Sequence, residues 1–232
     1  MRTLILMPCF NEENTLRRVL AEVKTYSGNS DILAIDDGSV DSTLQILGEF
    51  EGVAVLRHPS NQGYGSSLID GFSYAANHRY EVCITIDCDE QHEPHLIPQF
   101  LQALSGWDVI SGSRYLQSSS MQPPLERYRI NMEITHILNQ ITGYQLTDSF
   151  CGFKAYRVEA LARLQFEESS YGFPIQFWLR AWKQGLRIKE LPVGLIYKDY
   201  SRRFPGDLND PARRRQYYLQ MIEEETRQWQ KS

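Results

Sequence analysis

The hydrophobic residues in the first half of the chain follow two alternating patterns. Short apolar runs, which predict buried β-strands, occur in the order TLILMP, DILAID, VAVLRH, VCITID and DVISGS. Between the first two runs, apolar residues recur at the spacing of one helix face, at Leu16, Val19, Leu20 and Val23. Strands that alternate with helices form βαβ units, so we predict an α/β fold with a mainly parallel central sheet flanked by helices.

The second half of the chain is less regular. Residues 115–126, YLQSSSMQPPLE, predict a mobile loop. An amphipathic helix is predicted next, from apolar residues at helical spacing at Ile130, Ile134, Ile137, Leu138 and Ile141. IKELPVGLIY predicts another strand, and the charged tail from residue 198 predicts a polar loop and a C-terminal helix. No repeat or linker is present, so residues 1–232 are expected to form a single domain.

The segments directly after the predicted strands are polar or contain glycine. They read PCFNEE, DDGSVDS, PSNQGYG, DCDEQH and SGSRY. In parallel sheets of this class, ligands bind in the crevice at the carboxyl ends of the strands. Four carboxylates from two of these segments are therefore expected to gather at one edge of the sheet, namely Asp36, Asp37, Asp87 and Asp89.

Asp87 and Asp89 lie one residue apart at the end of an apolar run, where each raises the cost of ionising the other. They are either solvated turn residues or ligands of a hard divalent cation, Mg²⁺ or Mn²⁺, which prefers carboxylate oxygens. Gln91 supplies a third oxygen at a suitable spacing. We favour the metal, because a second acidic segment nearby makes unpaired negative charge costly.

Two further segments have both a structural and a binding interpretation. Asp36 and Asp37 lie in a tight turn, and either carboxylate has the chemistry to accept a hydrogen bond from a nucleotide base. The stretch NQGYGSSL lacks the full G-x-G-x-x-G pattern, so no Rossmann dinucleotide site is predicted. Gly63 and Gly65 fit a plain turn, or the close approach of an anion to backbone N–H groups.

Composition and charge exclude several classes of protein. With 42% hydrophobic and 23% charged residues, the 232-residue chain is expected to be an ordinary soluble protein. Its net charge of −5 argues against nucleic-acid binding, which requires a basic surface. No stretch approaches the roughly 18 apolar residues of a membrane span, and the four cysteines show no CxxC spacing. A cytoplasmic, reducing location without a transmembrane segment is therefore expected.

In this order, the motifs PCFNEE, DDGSVDST, NQGYG, DCDEQH, SGSRY and DSFCGF resemble those of the family 2 glycosyltransferases with the GT-A fold. Within that family, residues 3–157 are most similar to the dolichol-phosphate mannose synthase and polyprenyl-phosphate glycosyltransferase branch. The resemblance implies an inverting, metal-dependent transferase with a UDP- or GDP-sugar as donor. The implied acceptor is polyprenyl or dolichyl phosphate. The alternatives are a transferase acting on a sugar or other hydroxyl acceptor, and a non-catalytic nucleotide-sugar-binding protein.

Roles for individual residues follow from the same motifs. Those expected to bind the donor nucleotide are Pro8, Phe10, Glu12, Asp36, Asp37, Gly65 and Asp87, and those expected to hold Mg²⁺ or Mn²⁺ are Asp87, Asp89 and Gln91. Arg114 matches an arginine that meets the acceptor phosphate, and Arg127 or Arg129 matches a second one, with Arg129 preferred. Asp148 matches the acid of the D-x-x-S-G-F pattern, as a general base or as a group that orients the acceptor.

The two parts of the chain are expected to divide the substrates between them. Residues 1–114 are assigned to the nucleotide sugar and residues 115–232 to the acceptor. Arg202 and Arg203, which Phe204, Pro205 and Gly206 follow, fit a loop that closes over the donor diphosphate, or alternatively one that contacts lipid headgroups. The transmembrane segments of many relatives are absent here, so any membrane contact is expected to be peripheral. The sugar, the base and a homo-oligomeric state are left open.

Overall fold

The computed structural model describes residues 1–119, 121–198 and 203–229, which contain seven strands and eight α-helices. The strands are β1 (Thr3–Cys9), β2 (Asp31–Asp36), β3 (Val53–Arg57), β4 (Val82–Thr85), β5 (Val109–Ser113), β6 (Lys154–Arg157) and β7 (Ile188–Pro192). The helices are α1 (Leu16–Tyr26), α2 (Thr43–Gly48), α3 (Tyr64–Asn77), α4 (Ile97–Ala103), α5 (Leu125–Thr142), α6 (Val158–Leu161), α7 (Phe173–Lys183) and α8 (Pro211–Trp229). Two 3₁₀ turns lie at Pro94–Leu96 and Gly206–Asn209.

The seven described strands form one sheet with the order β3-β2-β1-β4-β6-β5-β7. Neighbouring strands are parallel except at β6, which runs antiparallel to both β4 and β5. The predicted α/β class with a mainly parallel central sheet is therefore confirmed. Because β6 and β7 follow residue 114, both of the parts distinguished in the sequence contribute strands to the same sheet.

Helices cover the sheet on both faces, and alternate residues of β1 pack against the helices of each face. Leu4 and Leu6 belong to the core beneath α3, α5 and α7, whereas Ile5 and Met7 belong to the core beneath α1, α2 and α4. Successive side chains of a strand point to opposite faces, so a strand buried on both faces is apolar at every position. This is why β1 appears as a continuous apolar run, with all seven of its residues buried.

Strand β6 was not predicted from the sequence. It enters the sheet between β4 and β5 and brings the residues that precede it to the carboxyl ends of both strands. The Thr85 hydroxyl donates to the Gly152 carbonyl oxygen at 2.6 Å, and the Gly112 N–H donates to the Phe153 carbonyl oxygen at 2.8 Å. The DSFCGF motif is thereby placed beside the segments that follow β4 and β5.

The two longest described helices, α5 with 18 residues and α8 with 19, are joined by ion pairs. Arg215 lies 2.5 Å from Glu133, and Arg214 pairs with Glu126. With Arg213 paired to Asp207, the three arginines of residues 213–215 all have carboxylate partners.

Within the described residues, we find no helix with both the length and the apolar character that crossing a membrane requires.

Candidate active site

A cavity of about 620 Å³ lies at the carboxyl ends of β1, β2, β4 and β5. The predicted site residues that line it are Pro8, Phe10, Glu12, Asp37, Asp87, Asp89, Gln91, Arg114 and Arg203. Other parts of its wall come from α5, α8, the start of α3 with the loop before it, and the segments around residues 150, 171, 197 and 204. Residues that are far apart in the sequence therefore meet at the edge where the strand exits converge.

Four predicted site residues do not belong to the cavity wall, namely Asp36, Gly65, Arg129 and Asp148. Arg202 falls outside the described residues. Asp36 is fully buried; its Oδ1 accepts a hydrogen bond from the Ser39 N–H at 3.0 Å, and its Oδ2 lies 3.3 Å from Arg57 Nε. Asp36 thus holds the turn after β2 and does not line the cavity, and a contact between Asp36 and a base stays a prediction.

Gly63 and Gly65 allow another part of the chain to approach the start of α3. A Cβ on Gly65 would lie 2.2 Å from the Glu168 carbonyl oxygen, and one on Gly63 would lie 2.3 Å from that of Ser169. The Ser66 N–H donates to the same Ser169 carbonyl oxygen at 3.0 Å. The 168–169 backbone thus occupies the space beside Gly65, and a role for Gly65 in binding the donor stays a prediction.

Asp37 connects the end of β2 to the loop before α3. Its Oδ1 accepts hydrogen bonds from the Gln62 N–H and from His58 Nδ1, both at 2.7 Å, and its Oδ2 accepts one from the Gly63 N–H at 2.9 Å. His58 is buried, and its Nε2 lies 2.9 Å from Asp70 Oδ2. No sequence pattern indicated His58, because a single histidine after a strand has no diagnostic spacing.

The carboxylate of Asp87 is held from several sides. The Tyr64 hydroxyl donates to Oδ1 at 3.2 Å, His92 Nε2 lies 3.0 Å from Oδ2, and the absence of a side chain at Gly152 makes room for the group. Burial alone would raise the pKa of Asp87, but hydrogen bonds from His92 and Tyr64 and the charge of Lys154 lower it overall. Asp87 is therefore oriented and ionised at neutral pH.

The donor set around Asp89 fits a divalent cation that is shared with a phosphorylated ligand. Asp89 Oδ1 accepts a hydrogen bond from the Gln91 N–H at 3.1 Å, and both side chains line the cavity beside Asp87. Across the described residues, no group of three or more His, Cys, Asp or Glu side chains is arranged to hold a metal. Mg²⁺ is commonly held by one or two carboxylates, with waters and substrate phosphates completing its coordination. The two carboxylates of Asp87 and Asp89 and the amide oxygen of Gln91 suit that arrangement better than a site in which protein side chains provide every ligand of the metal.

Arg114 faces the cavity with its guanidinium fixed by Asp148. Arg114 Nε and Nη2 donate to the two oxygens of Asp148 at 2.6 and 2.9 Å, and Asn131 Nδ2 donates to Oδ1 at 3.0 Å. Burial would raise the pKa of the fully buried Asp148, but the charge and hydrogen bonds of Arg114 and the bond from Asn131 lower it overall. Both oxygens of Asp148 are thus occupied by Arg114 and Asn131, and its role as a general base or as a group that orients the acceptor stays a prediction.

The two arginines considered on α5, Arg127 and Arg129, lie differently with respect to the cavity. Arg127 lines the cavity, whereas Arg129 is exposed and lies outside its wall. Residues two positions apart on an α-helix face nearly opposite directions, so only one of them can meet the cavity. Arg127 is therefore the better placed of the two, and a contact between either arginine and an acceptor phosphate stays a prediction.

Phe204 joins the arginines of the cavity wall. Its ring centroid lies 4.3 Å from the guanidinium carbon of Arg214 and 5.2 Å from that of Arg127, and Tyr171 meets it edge-on at 5.5 Å. The other aromatic residues of the wall include Tyr64, Tyr115, Phe150, Tyr197 and Tyr218. Tyr64, Tyr115 and Phe150 lie within the quoted motifs NQGYG, SGSRY and DSFCGF, but none of these rings was singled out as a site residue, because an aromatic side chain in a loop has no diagnostic spacing.

The chain is similar in sequence to one protein family and to proteins of other organisms. The model of glycosyl transferase family 2 matches residues 4–165. An uncharacterised protein of Methanocaldococcus jannaschii is 33% identical over 202 residues, which cover 85% of this chain and 82% of that protein. An undecaprenyl-phosphate mannosyltransferase of Micrococcus luteus is 30% identical over 207 residues, which cover 86% of this chain and 85% of that protein.

A solved structure has the same fold. The glucosyl-3-phosphoglycerate synthase of Mycobacterium tuberculosis, in complex with Mn²⁺, UDP and glucosyl-3-phosphoglycerate, superimposes with a TM-score of 0.74 at 17% identity. The match covers 97% of this chain and 79% of the synthase. Since the family model spans well over half of the chain and the cavity lies at the expected edge of the sheet, this protein belongs to glycosyl transferase family 2 and is a glycosyltransferase with the GT-A fold.

Proposed function

We propose that this glycosyltransferase moves a sugar from a nucleotide-diphosphate donor to polyprenyl or dolichyl phosphate, with inversion at the anomeric carbon. The charge pattern of the cavity carries the proposal. One cavity combines the carboxylates of Asp87 and Asp89 with the guanidinium of Arg114, which the buried Asp148 fixes in place. Carboxylates of this kind suit a cation-bound diphosphate, and a fixed guanidinium suits a second, anionic substrate.

The donor is assigned to the side of the cavity formed by the exits of β1, β2 and β4. Pro8, Phe10, Glu12 and Asp37 are available to the nucleoside, and Asp87, Asp89 and Gln91 to the cation and the diphosphate. Mg²⁺ or Mn²⁺, when bound, neutralises the charge that develops on the departing nucleoside diphosphate. Because Asp87 is ionised and oriented before any ligand arrives, it needs little rearrangement to hold that cation.

To bind and react, a phosphate acceptor requires a positively charged side chain such as Arg114 rather than a general base. A phosphomonoester is already ionised at neutral pH, so one of its oxygens attacks the anomeric carbon without being deprotonated. The bond from that carbon to the β-phosphate oxygen breaks on the opposite face, which inverts the configuration. Asp148 takes up one N–H at Nε and one at Nη2 of Arg114, so three of the five guanidinium N–H groups remain for phosphate oxygens.

A hydroxyl acceptor is less consistent with the site. It would need a general base whose pKa lies near the working pH. Asp148, the predicted candidate, is fully buried, has a lowered pKa and is bonded to Arg114 and Asn131. A phosphate acceptor also agrees with the name of the Micrococcus luteus relative, an undecaprenyl-phosphate mannosyltransferase.

The proposal includes contact with a membrane surface, because a polyprenyl phosphate lies in a bilayer. The cavity walls from α5, α8 and the segment around Phe204 are assigned to this acceptor. The division of the substrates between residues 1–114 and 115–232, a cytoplasmic location and a homo-oligomeric state stay predictions.

The direct test is transfer of labelled sugar from UDP- and GDP-sugars to undecaprenyl phosphate in detergent with Mn²⁺. We expect a label that partitions into organic solvent, and no such product in EDTA. Undecaprenol, which has the same chain but no phosphate, is the matched control and should accept nothing. Transfer to a sugar hydroxyl without transfer to the lipid phosphate would reject the proposed acceptor.

Gly152→Ala should impair catalysis more than stability. The added Cβ would lie 2.1 Å from Asp87 Oδ2, and the carboxylate is the part that can move aside. A displacement of about 1 Å at a catalytic group can cost up to roughly 100-fold, so we expect kcat/KM to fall by roughly 10- to 100-fold. Gly48→Ala, where a Cβ meets nothing within 4 Å, is the control. Unchanged kinetics for Gly152→Ala would show that the position of Asp87 does not matter.

A further inference from the structure

We infer that the donor carries a uracil-type base, which presents a single N–H, rather than guanine. The inference rests on the proposed function, since it assumes that Asp37 meets the base of a nucleotide donor. It concerns the number of hydrogen bonds that the Asp37 carboxylate can still accept in this fold.

An ionised carboxylate has about four acceptor sites, two on each oxygen. On Asp37, the Gln62 N–H and His58 Nδ1 take both sites of Oδ1 at 2.7 Å each, and the Gly63 N–H takes one site of Oδ2 at 2.9 Å. One site, on Oδ2, is left for a ligand. Asp37 lines the cavity, but only 3% of the residue is exposed.

The donors that occupy Oδ1 are held in place by the surrounding chain. His58 is buried, its backbone N–H donates to the Asp36 carbonyl oxygen at 2.9 Å, and its Nε2 lies 2.9 Å from Asp70 Oδ2. The neighbouring Gly63 has a φ of 102° and packs against the backbone of Ser169. Neither the ring nor the loop can withdraw easily to free a second acceptor site for a ligand.

Bases differ in the number of donors that they present to such a carboxylate. The N1–H and the 2-amino group of guanine lie side by side and need both oxygens of one carboxylate. The N3–H of uracil or thymine needs a single site. Guanine bound at Asp37 would leave its amino group without a partner there, and an unpaired donor of this kind weakens binding by roughly 10-fold or more.

The test is calorimetric titration of the full chain with UDP, GDP, inosine diphosphate and N3-methyl-UDP, each in the presence of Mn²⁺. We expect UDP to bind at least roughly 10-fold more tightly than GDP, and N3-methylation to cost UDP a similar factor. Inosine diphosphate, a purine without the 2-amino group, should bind more tightly than GDP. Asp37→Asn should remove the difference between UDP and N3-methyl-UDP; if that variant does not fold, the wild-type titrations decide the question alone.

Two results would overturn the inference. GDP that binds as tightly as UDP, or N3-methylation without effect, would show that Asp37 does not select the base by its single acceptor site. If GDP is preferred and sugar is still transferred to the lipid phosphate, the proposed function stands. If no nucleotide binds in the presence of Mn²⁺, both the inference and the proposed donor site fail.

Discussion

Asp89→Asn is expected to lower kcat/KM for sugar transfer by ~10²–10³-fold, the range found when a group that stabilises developing charge is removed. Asp89 lines the cavity beside Asp87 and Gln91, where a cation would meet the donor diphosphate. The amide keeps the size of the side chain but removes its charge. The measurement is the initial rate at several Mn²⁺ concentrations, and the variant should need more Mn²⁺ to reach its own maximal rate.

Asp31→Asn is the matched control for this experiment. Asp31 is an exposed carboxylate at the opposite end of β2 from Asp37, where it accepts a hydrogen bond from the Tyr80 hydroxyl at 2.8 Å. Its replacement should leave both the rate and the Mn²⁺ dependence unchanged. If Asp89→Asn behaves like this control, Asp89 is a turn residue and the metal belongs elsewhere or plays no part.

Asp148→Asn should reduce the free energy of unfolding by about 3–5 kcal/mol, because it leaves a mostly buried arginine without its partner. The side chains of Asp148 and Arg114 are 0% and 13% exposed, so water cannot solvate the guanidinium that loses its carboxylate partner. In the folded protein the pKa of Asp148 lies below that of an unfolded aspartate. Its stabilisation is therefore complete above about pH 4 and is lost as the pH falls through the folded pKa.

Denaturant unfolding at several pH values measures this effect. The difference between wild type and Asp148→Asn should be constant between about pH 6 and pH 8 and should shrink in acid. Arg114→Lys is the companion variant: it keeps a positive charge but cannot make two parallel bonds to a carboxylate. Its acceptor KM should rise, with no new ionisation in the pH–rate profile. A lost ionisation near neutral pH in Asp148→Asn would instead identify Asp148 as a general base.

Much of the fold could be predicted because its signals are local. Strands such as β1 and β4 are buried on both faces, so their apolar runs are visible without knowledge of their neighbours. Strand β6 was missed because it has four residues, Lys154–Arg157, with charged residues at both ends. Its position in the sheet depends on pairing with the edges of β4 and β5, and those strands are distant from β6 in the sequence.

The candidate site shows the same division. The carboxylates of Asp87 and Asp89 and the guanidinium of Arg114 follow strand ends, so the rule for parallel sheets brought them to one edge. The choice between Arg127 and Arg129 required the rotation of α5 against the sheet. Phe204 required the packing of the segment before α8 against Arg127 and Arg214.

By itself, the sequence determined the α/β class and the edge of the sheet where charged groups gather, because hydrophobic period and strand ends are properties of neighbouring residues. Only the tertiary structure decided what each carboxylate does there. Asp37 reaches the cavity with one acceptor site left, Asp36 holds a turn, and Asp148 fixes an arginine. Those differences depend on the hydrogen-bond donors that distant segments bring to each oxygen, and such contacts exist only once the chain has folded.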